Sequence, residues 1–182
     1  SQRIGLSSDL SVVAQGLYYA NPFGSVGPLP PKAGTETTYA VVFTITNTTN
    51  KITNAKLTSV LPPYVRWVGI YSPSTEDVAF NQVDGSFTWN IGDINPGVGM
   101  NGASPRQSAI AIGFTPSTSQ IGQVPVLLQH IVLTGTDAAT GKPVTKNLLD
   151  VTTDLAKISK TSEGLPMAPD PGFNSSSAVV VR

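Results

Sequence analysis

Apolar residues recur at every second position in segment after segment of this chain, and almost nowhere at helical spacing. That pattern predicts an all-β protein. The clearest strand covers residues 37–47, where Tyr39, Val41, Phe43 and Ile45 face one way and Thr38, Ala40, Thr44 and Thr46 the other. Asn47, Thr48, Thr49 and Asn50 then form a polar turn. A second strand, over residues 54–61, stops at Pro62 and Pro63, because proline brings no ladder donor and restricts the residue before it. Residues 65–71 make a third, with Val65, Trp67 and Tyr71 on one face.

Residues 78–83 and 86–91 flank Asp84-Gly85, a strong hairpin signal, and this predicts a two-residue turn with positive φ at both positions. Phe87, Trp89 and Ile91 are its core side. After a glycine-rich loop, strand character resumes over residues 107–115, with Ile110, Ile112 and Phe114 inward and the small residues Ala109, Ala111 and Gly113 outward. The longest run, residues 126–136, is apolar on both faces and predicts cover on both. A turn at residues 137–141 leads into a last strand over residues 144–151.

This spacing predicts an immunoglobulin-like β-sandwich of about seven to nine antiparallel strands with extended N- and C-terminal segments, a closed barrel being the competing architecture. The domain plan that follows has three parts. Residues 1–34 form an N-terminal segment with a first strand over residues 10–20, residues 35–158 the sandwich core, and residues 159–182 a Pro- and Ser-rich tail ending in a donor strand. No fixed-period repeat is present.

Composition narrows the chemistry. Only 12% of the 182 residues are charged, against about 25% in a typical soluble domain, so Ser, Thr and Asn must solvate much of the surface. Lys plus Arg equals Asp plus Glu at 11 each, which leaves no electrostatic footprint for nucleic acid. With no cysteine there is no disulfide, zinc-thiolate site or thiol nucleophile. No run approaches the ~18 apolar residues of a membrane span.

Catalytic constellations are not evident either. The single histidine, His130, sits in the most apolar strand, where a packed or partner-facing role outweighs that of a base. Glu36, Glu76 and Glu163 are isolated from one another, and Glu76-Asp77 is the only adjacent acidic pair. Asp137, Asp150 and Asp154 are candidate calcium ligands, but Asp-x-Asp spacing is missing. Lys56 is the strand lysine that an isopeptide staple would use, yet its alternation places it on the solvated face. Asn47-Thr48-Thr49 and Asn174-Ser175-Ser176 match the glycosylation sequon, and Tyr18, Tyr19, Tyr64 and Tyr71 are candidates for sugar stacking or for packing. The expectation is a non-enzyme without cofactor or metal.

Three stretches together resemble the immunoglobulin-like conserved-repeat domains of bacterial and archaeal cell-surface proteins. They are residues 37–48, an alternating strand ending in Asn47-Thr48; residues 55–63, closing in Leu61-Pro62-Pro63; and residues 87–97, of which Trp89-Asn90-Ile91-Gly92-Asp93-Ile94-Asn95-Pro96-Gly97 is the most specific. The resemblance covers residues 35–154 and departs in the long N-terminal segment and the proline-rich tail. It implies a secreted, surface-attached structural or adhesive role, and the family has no catalytic residues to carry over.

The tails suggest a mechanism. An open sandwich edge can be completed by a strand from another chain, and a head-to-tail donation that does not close produces a filament. The expectation is an extracellular, pilus-like subunit that forms a homo-oligomer or filament by strand addition. Candidate interface residues are Ala178, Val179, Val180 and Val181 in the C-terminal run, Leu10 and Val12 in the N-terminal run, and the flat face of Ala109, Ala111 and Gly113. Residues 10–20 are better read as the sandwich's own first strand, which makes the C-terminal run the better donor. The alternative is a single adhesive module of a larger surface protein that binds a glycan or protein.

Overall fold

The computed structural model describes residues 9–161 and 167–182. Two antiparallel sheets face each other across one apolar core, and the fold is an immunoglobulin-like β-sandwich. In chain order the strands are β1 (Ser11–Leu17), β2 (Thr37–Thr46), β3 (Ile52–Val60), β4 (Val65–Ser72), β5 (Asp77–Asn81), β6 (Ser86–Ile94), β7 (Arg106–Phe114), β8 (Val126–Asp137), β9 (Pro143–Asn147), β10 (Val151–Thr152) and β11 (Ser159–Lys160). The first sheet runs β11-β1-β2-β7-β4, and the second runs β10-β8-β3-β6-β5 with β9 also paired to β8.

The alternation read from the sequence decides which side chains meet between the sheets. Tyr39, Phe43 and Ile45 of β2, Ile110 and Ile112 of β7, and Phe87 and Trp89 of β6 are all fully buried. Aromatic rings connect the layers: Phe43 stacks on Phe87 at 5.6 Å between centroids and lies 6.4 Å from Trp89, while Trp67 of β4 stacks on Phe80 of β5 at 5.1 Å. Such pairs add about 0.5–1.5 kcal/mol each beyond the area they bury.

Several boundaries differ from the expected ones for local reasons. The β5–β6 hairpin closes between Asn81 and Ser86, so its loop has four residues rather than two. Gly85 alone takes positive φ, at 73°, and Val83 lies in the loop, almost wholly exposed. A single strand over residues 144–151 is replaced by β9 and β10, which share the free side of β8 on either side of a bulge. At that bulge His130 takes φ 53°, which turns it out to solvent. The expected cover on both faces of β8 is therefore incomplete. In β4 the register shifts between Trp67 and Tyr71 around Gly69, at φ 91°.

The expected first strand shortens to β1 and is buried on both faces. Its inner side belongs to the core. On its outer side Gln15 donates its amide to the Ala168 carbonyl of the C-terminal segment, and along its edge β11 pairs with it, Ser159 opposite Ala14.

Candidate assembly site

The C-terminal segment, residues 167–182, follows β11 by way of residues 162–166, a part of the Pro- and Ser-rich tail that lies outside the described residues. Within the described part, Asp170, Pro171, Gly172 and Phe173 form a turn in which Phe173 N–H donates to the Asp170 carbonyl at 3.1 Å. Proline second and glycine third, with Gly172 at φ 82°, are what a type II turn requires. The turn presents the Asp170 carboxylate to the chain leaving β1. Oδ2 accepts from Tyr18 N–H at 2.9 Å and Tyr19 N–H at 2.8 Å, and Oδ1 accepts from Ala20 N–H at 2.8 Å. Asp170 is 2% exposed.

Asn174 then caps a 3-10 turn, Ser175–Ala178, by accepting from Ser176 N–H at 3.0 Å. Beyond it the chain extends between two connectors. Val180 N–H donates to Gln123 O at 3.0 Å and Val180 O accepts from Gly122 N–H at 2.9 Å. On the opposite side Val181 N–H donates to Pro31 O and Val181 O accepts from Ala33 N–H, both at 2.9 Å, so Val181 bridges Lys32 in parallel. Thr153 Oγ1 donates to Ala178 O at 2.7 Å. The Val180 side chain joins the core, worth roughly 1.5–2 kcal/mol of burial. The tail end is thus an extended segment with hydrogen-bonded neighbours on both sides.

The residues singled out from the sequence separate into three places. Ala178 and Val180 are buried in this two-sided slot, while Val179 is half-buried and Val181 exposed. Leu10 and Val12 lie wholly in the core, Val12 within β1, so this run is the sandwich's own first strand. Ala109, Ala111 and Gly113 point away from the core as expected, but they are not an open flat face: all three are buried. Ala109 and Val42 instead floor a groove of about 560 Å³ walled by Leu17, Ala20, Pro22 and Pro73. Gly113 lies beneath the Glu36–Arg66 ion pair, and a Cβ there would come within 2.6 Å of Glu36 Oε2.

That contact yields a small, separable effect. Gly113→Ala is expected to push the Glu36 carboxylate off Arg66, whose hydrogen bonds hold the Glu36 pKa below its ordinary value. The Glu36 pKa, followed by NMR titration, should return toward 4.5. Stability should change by less than about 1 kcal/mol, because the pair is solvent-exposed.

The other candidate chemistry is absorbed into structure. Asp137 is buried and accepts from Ala139 N–H, Thr140 N–H and the Asn50 amide, which makes it a turn cap. Among the described residues no group of three His, Cys, Asp or Glu is placed to hold a metal ion. Lys56 is exposed in β3. Asn47 is fully buried, donating to Asn50, Ile94 and Asn95 carbonyls, so that sequon is not available at the surface. Of the tyrosines, Tyr18 packs edge-on against Tyr19 and Tyr39, and Tyr64 against Phe114. The sequence reading missed Glu76, which accepts two hydrogen bonds from Arg106 and one from Trp89, all at 2.8 Å. It also missed Asp170, whose only signal was the Asp-Pro-Gly turn motif.

No family model matches the chain, and no curated protein does. Among solved structures, the major pilin subunit of Bacillus cereus superposes with a TM-score of 0.46 at 12% sequence identity. The match covers 78% of this chain and 39% of that one, so the chain spans about two fifths of that structure's length. No helix of the described residues is long and apolar enough to cross a membrane.

Proposed function

We propose that this chain is a structural subunit of an extracellular, cell-surface assembly, and that copies associate by exchanging the C-terminal strand. The observation that supports this reading is the two-sided slot. Val180 and Val181 are held between Gly122–Gln123 and Pro31–Ala33, and none of these partners lies on the tail itself. A segment that docks on its own domain through a connection of a few residues can dock on a neighbour's identical slot with the same contacts. Exchange then costs little beyond association entropy, and open exchange propagates a filament. The scarcity of charge supports the same reading, since neutral faces meet with little desolvation.

The absence of cysteine makes the test direct. Lys32→Cys with Val181→Cys places two thiols at bridge-paired positions, close enough for a disulfide. Oxidation of concentrated protein is expected to give a ladder of covalent multimers on a non-reducing gel. A purely monomeric, internally cross-linked product would sink the exchange. The groove floored by Val42 and Ala109 supports a second reading, a ligand-binding module, which a glycan array tests.

A further inference from the structure

The structure assigns the backbone N–H groups of Tyr18, Tyr19 and Ala20 as a carboxylate-binding cradle, the element that recognises the C-terminal segment through Asp170. The cradle fits an acidic peptide of the form Asp-Pro-Gly-Phe. Its occupant is residue 170 of the same copy in the closed subunit and, under the exchange reading on which this half rests, residue 170 of a second copy in the assembly.

Three observations carry the assignment. The three donors are successive and converge on one side chain, with all three distances at 2.8–2.9 Å. The Asp170 side chain is buried, so these bonds are made largely away from water, where a charge-assisted bond counts most. The type II turn fixes the carboxylate's direction before docking, since Phe173 N–H closes back on Asp170 O. A carboxylate is the group that satisfies this geometry. It offers only acceptors at both oxygens, whereas an asparagine would turn an NH₂ group toward at least one donor. Gln15, whose amide meets the Ala168 carbonyl, adds a second polar contact two residues upstream.

The cradle and the valine slot are separate on the surface but read the same segment, ten residues apart. Val180 supplies apolar burial that any aliphatic strand could match, while Asp170 supplies the part that a generic strand lacks. The cradle is therefore the specificity-determining contact for tail docking.

The test uses the full chain, with Asp170→Asn, and two fluorescent synthetic peptides of residues 167–182, one native and one with the same substitution. Hydrogen exchange of the Asp170→Asn chain is expected to lose protection at the Tyr18, Tyr19 and Ala20 amides and, with them, at Val180 and Val181. That chain should capture the native peptide, by fluorescence anisotropy, about ten-fold or more tightly than it captures the substituted one. The wild-type chain, its cradle filled in cis, should capture neither. Equal affinity for the two peptides, or unchanged protection at residues 18–20, overturns the assignment. The cysteine ladder separates the two ideas. A missing ladder with Asp-selective capture leaves the cradle standing and removes exchange; a ladder with no Asp selectivity does the reverse.

Discussion

Trp89→Ala is expected to lower stability by about 4 kcal/mol, the largest effect of any single change considered for this chain. Trp89 has no solvent exposure and fills the space between the sheets, with Phe43 of the opposite layer 6.4 Å from its ring. Truncation removes its transfer free energy and leaves a cavity, because β2 and β6 are each held in register by neighbours on both sides and cannot collapse into it. It also removes the indole N–H that donates to Glu76 Oε2 at 2.8 Å. With total stability of about 5–15 kcal/mol for a domain, such a loss leaves the variant near or past its unfolding midpoint in mild urea. Trp89→Phe separates the two terms: it keeps most of the ring and loses the donor, and should cost about 1–2 kcal/mol. Urea unfolding followed by circular dichroism measures both. A loss below about 1.5 kcal/mol for the alanine variant would mean that the core closes around the gap.

The inward faces of β2, β6 and β7 were legible because a strand buried on one side must alternate, and Tyr39, Val41, Phe43 and Ile45 do so without interruption. The outward faces were not legible. Ala109 and Ala111 look like an exposed flat surface to any period-based reading, yet they are buried. Likewise Gln15, on the outer side of β1, is buried and donates to the carbonyl of Ala168 some 150 residues further along, and no local pattern announces that return. Hairpin loop length escaped for a related reason. Asp84-Gly85 marks the turn, but Asp84 accepts from Ser86 N–H and caps a longer loop instead of adopting positive φ. At the candidate site the apolar half, Ala178 to Val181, was visible as an apolar run. Asp170 was not, because one acid in a proline-rich stretch reads as solvated until the three amides facing it are known.

The same long-range character governs the second large effect, at Glu76. Thirty residues separate Glu76 from Arg106, and their bidentate pair joins the β4–β5 connector to β7 of the first sheet while Trp89 ties the same carboxylate to β6 of the second. Glu76→Gln is expected to cost about 2–3 kcal/mol. That is less than the roughly 3–5 kcal/mol of a fully buried broken pair, since about a third of the Arg106 side chain remains exposed. The pH dependence has a definite sign. Hydrogen bonds from Arg106, with a smaller share from Trp89, outweigh burial and hold the Glu76 carboxyl below its ordinary 4.5. A carboxyl lowered in the folded state binds protons more readily when unfolded, so its contribution is complete above 4.5 and disappears as pH falls through the lowered folded value. Wild-type stability should therefore decline as the solution is acidified below about pH 5, with a smaller share from solvent-screened Glu36. In Glu76→Gln the decline should be shallower over the same interval, measured as the urea midpoint at successive pH values. Parallel curves for the two proteins would show that Glu76 is not the clip between the sheets.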